Sequence, residues 1–196
     1  MPMTSRLQNE LPFPGDAVPK YKYLFVPCQA MTGWAAALVG AGAGDPIIGE
    51  NTTSSLTGLR IQANADSMAT LLALPDDVDV EAPIDLAIVW SSDQASADTY
   101  TWTILFSDVT LNGTSGLDTA GATALNTVLV QDTGIATASI AQRTEWGTIN
   151  GGVIGGTIED DHLVNVLMTA TTNGGTVSTD LVIWYGLMVR YMPKSI

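Results

Sequence analysis

The sequence predicts an all-β fold, an antiparallel β-sandwich preceded by an extended N-terminal arm. Three observations predict it: apolar residues recur with a period of two, glycine-rich turns separate these segments, and no segment has the spacing of an amphipathic helix. About nine segments read as strands, and many short strands with glycine-rich turns are typical of a sandwich or barrel. We divide the chain into an arm, residues 1–20, and a body, residues 21–196, which contains a glycine- and alanine-rich excursion at 31–51.

The clearest alternation lies between residues 84 and 106. One side of each of its two segments is apolar, and these positions are Ile84, Leu86, Ile88 and Trp90, then Tyr100, Trp102, Ile104 and Phe106. The small polar residues 91–98 join the segments, so we predict the arms of an antiparallel hairpin. Because Trp90 and Trp102 lie on the apolar sides, we predict that they belong to the core and do not bind ligands.

The other elements follow the same rules along the chain. Tyr21, Tyr23 and Phe25 alternate with Lys22, Leu24 and Val26 until Pro27 ends a first strand. The remaining strand candidates are 56–63, 125–131 and 135–141, and 68–74 suits either a strand or a helical turn. Residues 163–171 and 177–191, with the turn Asn173-Gly174-Gly175 between them, predict a second hairpin.

The arm contains four prolines, which remove backbone donors and make a helix or a central strand unfavourable: Pro2, Pro12, Pro14 and Pro19. Two interpretations remain open. The arm is either a disordered tail or a segment that docks Leu11, Phe13 and Val18 on a neighbouring subunit or a shell, since a purely solvating tail needs no such apolar residues.

Charge and composition exclude several classes of function. Seven basic and 20 acidic residues give a net charge of −13, which argues against nucleic acid as a partner. The one cysteine, Cys28, allows no internal disulfide, and the N-terminus has no secretory pattern, so we expect folding in the cytoplasm. The most apolar tract, residues 34–43, is far shorter than the ~20 residues that span a bilayer, so we expect no membrane partner.

Neither catalysis nor cofactor binding is indicated by a motif. The acidic cluster at 76–81 lacks the glycine and glutamate spacing of a calcium loop, and the cluster at 159–162 holds the only histidine, His162, without a second imidazole. Gly40, Gly42 and Gly44 lack the strand, helix and lysine of a phosphate loop. We therefore predict no metal, no cofactor and no enzymatic activity, although paired carboxylates from distant strands would leave no sequence signature.

The middle and C-terminal parts resemble the jelly-roll capsid decoration, or cement, proteins of tailed bacteriophages. The resemblance covers roughly residues 56–192 and is carried by four segments: Leu71 to Asp79, Val89 to Ser92, Thr99 to Trp102 and Leu187 to Tyr191. It implies a jelly-roll-like sandwich on the outside of a virion capsid, assembled in the host cytoplasm, with the major capsid protein as partner and a homotrimer as the assembly. The alternatives are a phage tail-fibre or receptor-binding tip, which would bind host glycans, and a carbohydrate-binding β-sandwich.

The last strand predicts where subunits meet, because both of its sides are apolar. If strict alternation holds, Val182, Trp184 and Met188 lie on a second side that the core of one domain does not cover. Burying each large side chain is worth about 1.5–3 kcal/mol, so we predict a homotrimer seam near Trp184, with Arg190 pairing an acid at the seam.

Overall fold

A computed structural model describes ten stretches of the chain: residues 21–30, 32–34, 47–50, 57–61, 66–92, 98–109, 124–134, 140–149, 163–172 and 182–194. Four parts of the sequence analysis lie outside these stretches: the arm, most of the glycine- and alanine-rich excursion, the side chain of Phe106 and the cluster at 159–162. Within it, the backbone forms antiparallel strands and one short 3-10 turn at Cys28–Ala30. The predicted all-β sandwich is confirmed.

Twelve strands are present in the described part: β1 (Lys22–Pro27), β2 (Thr32–Trp34), β3 (Ile47–Glu50), β4 (Thr57–Arg60), β5 (Ser67–Ala73), β6 (Ile84–Ser92), β7 (Thr99–Val109), β8 (Ala124–Thr133), β9 (Gln142–Arg143), β10 (Gly147–Ile149), β11 (Leu163–Thr172) and β12 (Val182–Tyr191). Sheet A is centred on β6 and β12, with β9 and β10 along the outer edge of β6 and with β1 and β4 along the outer edge of β12; β3 follows β4. Sheet B has the order β2-β5-β11-β7-β8.

The core lies between the two sheets, and aromatic residues join its halves. Trp90 of β6 packs against Tyr100 and Trp102 of β7, with ring centroids 4.9 and 5.0 Å apart. All three side chains are at most 1 % exposed, as the alternation of 84–106 predicts. Nε1 of Trp90 donates a hydrogen bond to Asp132 at 3.0 Å, so the indole N–H is satisfied inside the sandwich.

Both predicted hairpins are wrong in their pairing, although their strands exist. β6 pairs with β12, β9 and β10 in sheet A, whereas β7 pairs with β11 and β8 in sheet B. β11 and β12 are likewise in different sheets. The six residues between Ser92 and Thr99 can span about 20 Å, which is enough to cross the ~10 Å between packed sheets. The linker therefore allows the second strand to join either sheet. Alternation identifies the buried side of a strand but not the strand with which it pairs.

A β-bulge in β12 overturns the predicted second side of the last strand. The register of β12 against β6 shifts between Trp184 and Gly186, and an extra residue in one strand resets the alternation. Val182 and Trp184 therefore point into the same core as Leu187 and Val189, and both are 0 % exposed. The expectation that Val182 and Trp184 lie on an uncovered face is wrong.

Candidate ligand-binding site on the outer face of sheet A

A row of exposed aromatic side chains lies along β1 on the outer face of sheet A. Tyr21, Tyr23 and Phe25 are 39, 59 and 48 % exposed, whereas Val26 on the opposite side of the strand is buried. Residues two apart on a strand share a face and are about 7 Å apart, so the three rings follow one another along roughly 14 Å of strand. Three large rings open to solvent on one strand form an extended aromatic surface.

Next to this row, a polar row runs across four strands of sheet A. Tyr23 on β1 is in register with Arg190 on β12, which is in register with Asp85 on β6, and Asp85 is in register with Thr148 on β10. Nε and Nη2 of Arg190 donate to Oδ2 of Asp85 at 2.9 and 2.6 Å, and Oγ1 of Thr148 donates to Oδ1 at 2.7 Å. Both oxygens of a carboxylate that is only 5 % exposed are thereby satisfied.

The guanidinium of Arg190 is held in place and stays charged. Burial alone would lower its pKa, but the hydrogen bonds and the charge of Asp85, together with a hydrogen bond to Tyr23, outweigh burial and raise the pKa of Arg190. Arg190 therefore pairs with an acid of its own chain, and its pairing with an acid at a subunit seam stays a prediction. A fixed guanidinium beside exposed rings is a preorganised hydrogen-bond donor.

Trp146 connects this guanidinium to a second one. Cζ of Arg190 lies 4.6 Å from the centroid of Tyr21 and 4.5 Å from that of Trp146, and Cζ of Arg143 lies 4.4 Å from Trp146. Trp146 is half-buried, and its ring is 6.3 Å from Tyr23. Cation–π contacts within about 6 Å are attractive, so the loop between β9 and β10 is fixed across the face of the sheet.

Gly186 determines how closely Phe25 approaches the sheet. A Cβ atom at Gly186 would lie 2.7 Å from Cζ of Phe25 and 2.4 Å from the carbonyl oxygen of Val26. Only glycine leaves this space, because both distances are below any ordinary contact. The ring of Phe25 therefore lies over the backbone of β12, next to its register partner Met188.

We call this set of residues the aromatic face: Tyr21, Tyr23, Phe25, Trp146, Arg143, Arg190, Asp85 and Thr148. It offers large apolar rings next to fixed donors and acceptors, which is the combination that binds amphipathic, uncharged ligands. Among the described residues, His, Cys, Asp and Glu form no group of three or more that could hold a metal ion.

The predicted contact residues are distributed over three environments. Val182 and Trp184 belong to the core, while Met188 and Arg190 lie on the outer face of sheet A beside Phe25 and Tyr23. Leu11, Phe13 and Val18 lie outside the described residues, so their docking stays a prediction.

Most of the aromatic face escaped the sequence analysis. Tyr21, Tyr23 and Phe25 alternate visibly in the sequence, but alternation alone does not indicate which side of the first strand faces the core. Trp146 and Arg143 lie in a glycine-rich connection with no periodic pattern. The signal that could have found the row is its composition, because Tyr21, Tyr23 and Phe25 alternate with Leu24 and Val26, and a single core covers only one side of a strand.

The acidic cluster at 76–81 forms a turn that is tied to the end of the chain. Lys22 donates to Asp77, and this hydrogen bond lowers the pKa of Asp77; the hydroxyl of Tyr191 also donates to Asp77, at 3.3 Å. The amide of Asp79 donates to Met192 at 2.9 Å and that of Lys194 to Asp77 at 2.7 Å. These contacts give the Asp77 side chain a structural role at the base of β12.

No protein-family model matches the sequence, and no curated protein matches it significantly. The similar solved structures include a xylan-binding module, CBM15, with 12 % identity, a TM-score of 0.48, and coverage of 90 % of this chain and 100 % of that one. A second is the CBM22-1 and GH10 modules of a Clostridium thermocellum endo-1,4-β-D-xylanase with xylohexaose, at 8 % identity and a TM-score of 0.47. This chain is covered over 91 % but spans only 29 % of that protein.

A third is a β-1,3-glucan-binding CBM6 from Bacillus halodurans, at 10 % identity, a TM-score of 0.40, and coverage of 88 % of this chain and 96 % of that one. At such identities and scores the similarity extends to the general sandwich architecture and not to a site. A separate observation concerns membranes: in the stretches that the structure describes, no helix has the length and apolar character needed to cross a bilayer.

Proposed function

We propose that this protein is a non-catalytic, carbohydrate-binding β-sandwich whose ligand lies on the aromatic face. The single observation that carries the proposal is the exposed row of Tyr21, Tyr23 and Phe25 beside the fixed Arg190 and Asp85 pair. A sugar ring has an apolar side made of C–H groups and a rim of hydroxyl groups. The first matches the negative face of an aromatic ring, and the second matches paired donors and acceptors.

Three features of the face support a sugar over other ligands. Its rings are open to water in the monomer, so binding them covers apolar area that the fold itself leaves exposed. Its row is long enough for several sugar rings in sequence, since it follows about 14 Å of strand. Its polar groups are prepaired, so a neutral ligand that hydrogen-bonds to their remaining donors leaves no isolated charge behind.

Nucleic acid, which also stacks on aromatic and arginine side chains, fits the chain less well. Phosphate binding needs a positive surface, and the chain has a net charge of −13. Within the aromatic face, Asp85 already neutralises one of the two guanidiniums. A neutral or weakly charged polysaccharide is therefore the ligand class that we propose.

The test is a binding titration with soluble oligosaccharides selected from a panel of neutral and uronic-acid-containing polysaccharides. Tyr23→Ala should weaken binding by about tenfold or more, which corresponds to about 1.4 kcal/mol, because large exposed rings carry most of the energy at such sites. The matched control is Leu71→Ala, an apolar residue of sheet B that is 53 % exposed. Equal affinities of Tyr23→Ala and the wild-type protein would refute the site, and the absence of binding across the panel would refute the function.

A virion decoration protein is the second candidate, and one observation favours it. The aromatic row begins directly after the predicted arm, so an arm docked through Leu11, Phe13 and Val18 would bring these rings to the same partner surface. On this proposal the partner is the major capsid protein, and the row acts as a protein-binding hot spot. Cosedimentation with capsids that Tyr23→Ala abolishes, without binding to any polysaccharide, would favour it over the first proposal.

A further inference from the structure

The outer face of sheet B has a composition unlike the rest of this acidic protein. Register pairs across β5, β11, β7 and β8 place fifteen described side chains on it, and none carries a charge: Ser67, Ala69, Leu71, Ala73, Thr99, Thr101, Thr103, Leu105, Thr127, Leu129, Gln131, Thr133, Asn165, Leu167 and Thr169. We call these residues the sheet B face. It lies on the side of the sandwich opposite to the aromatic face.

Solvated sheet faces ordinarily carry charged side chains, which keep a protein soluble and prevent association. Here leucines take such positions, and Leu71 and Leu129 are 53 and 68 % exposed. Leu105 and Leu167 are register partners in the middle of the sheet and are half-buried. The other described positions have hydroxyl, amide or methyl side chains, so the face is flat as well as uncharged. Three of them, Ser67, Ala69 and Thr101, are buried, and the open part of the face includes Leu71 and Leu129.

We propose that the sheet B face binds the same face of a second copy of this chain. The charge of the protein favours this occupant: two bodies of net charge −13 repel unless they meet where no carboxylates oppose each other. A two-fold axis that passes near the central pair places leucine against leucine, since an isologous contact uses one patch twice.

The size of the face is comparable to that of a small dimer interface. Four strands about 4.8 Å apart and seven to nine residues long cover on the order of 500 Å² in projection. The relief of the side chains adds to this value, and about 800 Å² per partner is typical of a stable interface. Two such sheets would pack about 10 Å apart with their strands about 30° from parallel, as in a sandwich.

This pairing replaces the subunit seam that the sequence predicts. The core position of Trp184 leaves that seam without its central side chain, and a flat self-complementary face produces a two-fold dimer instead of a ring of three. Each dimer would present two aromatic faces on its opposite outer sides. The pairing rests on the composition of sheet B and is independent of what the aromatic face binds.

The experiment is a mass measurement by light scattering during gel filtration at micromolar concentration. The wild-type protein should have twice the 20.5 kDa mass of one chain. Leu129→Glu and Leu71→Glu each place two carboxylates in the apolar interface, one from each copy, and should give the mass of one chain at the same concentration. Both side chains are more than half exposed, so circular dichroism and thermal melts should show that the fold is retained.

The matched control is Ile140→Glu, which adds the same charge at an apolar residue that is 43 % exposed and lies outside sheet B. It should leave the mass at twice that of one chain. A wild-type mass of one chain, or of three, overturns the pairing. A dimer that survives both Leu129→Glu and Leu71→Glu overturns the choice of face.

Discussion

Trp90 and Trp184 offer a direct test of how hydrogen bonding of buried polar groups contributes to the stability of the core. They are register partners on β6 and β12 and are both 0 % exposed. Nε1 of Trp90 donates to Asp132 at 3.0 Å, whereas Nε1 of Trp184 is buried without a hydrogen-bond partner among the described residues. Replacing each tryptophan by phenylalanine removes the same atoms, so the comparison isolates the indole N–H.

The two substitutions should differ in cost. Trp90→Phe breaks a hydrogen bond to a carboxylate, and such bonds contribute about 1.5–3 kcal/mol. Trp184→Phe removes an unpaired N–H whose desolvation costs about 1–3 kcal/mol, which offsets part of the lost packing. Because Asp132 is only partly buried, we take the lower ends of both ranges and expect Trp90→Phe to be less stable than Trp184→Phe by about 2 kcal/mol or more.

Urea denaturation of the two variants, followed by circular dichroism, measures this difference. At about 2–4 °C per kcal/mol for a chain of this size, thermal melts should separate the two variants by at least about 4 °C. Equal destabilisation, or a larger cost for Trp184→Phe, would show that the Trp184 N–H has a partner such as a buried water molecule.

Three further predictions concern packing, pH and the arm. A Cβ at Gly147 would lie 2.2 Å from Cγ1 of Val128 on the facing sheet, so Gly147→Ala should lower the free energy of unfolding by about 1–3 kcal/mol, measured by urea denaturation. An unchanged urea midpoint would show that the sheets can separate locally. Burial raises the pKa of Asp132, so the folded protein binds a proton at this carboxylate more readily than the unfolded chain does. The stability of the wild-type protein relative to Asp132→Asn should therefore increase from pH 7 to pH 4, as the pH falls through the raised pKa. A difference that stays constant over this pH range would contradict the prediction. Deleting residues 1–18 should leave the melting temperature nearly unchanged and weaken binding to a shell or neighbour; equal binding by both proteins would make the arm an idle tail.

The sequence predicts the longer strands and most of their buried sides, because both depend on local alternation. It does not predict β2 and β3, which lie in the glycine- and alanine-rich excursion, or β9 and β10, which lie in a glycine-rich connection. Trp90, Tyr100 and Trp102 point inward as the period of two predicts, and residues 68–74, which alternation left undecided between strand and helical turn, lie almost entirely in β5. The sequence does not predict which strands pair with each other. Pairing depends on residues far apart in the chain, and a polar linker of six residues suits a tight return or a crossing to the other sheet equally well.

The prediction for β12 failed for a more specific reason. A bulge adds one residue and reverses which side of the strand faces the core, and nothing in the run from Val182 to Tyr191 marks its position except Gly186. The aromatic face was also beyond local reasoning. Its rings and guanidiniums come from residues 21–25, 143–148 and 190, which only the sheet register brings together.

The proposal that a carbohydrate binds across β1, the end of β12 and the loop before β10 can be tested residue by residue. The measurement is an amide chemical-shift titration with an oligosaccharide fragment of a polysaccharide that the protein retains. We predict that the largest shifts belong to residues 21–25, 143–148 and 186–190, and that Tyr23→Ala removes them. Shifts that concentrate on β5, β7, β8 and β11 instead, or an unchanged spectrum at saturating ligand, would contradict the account.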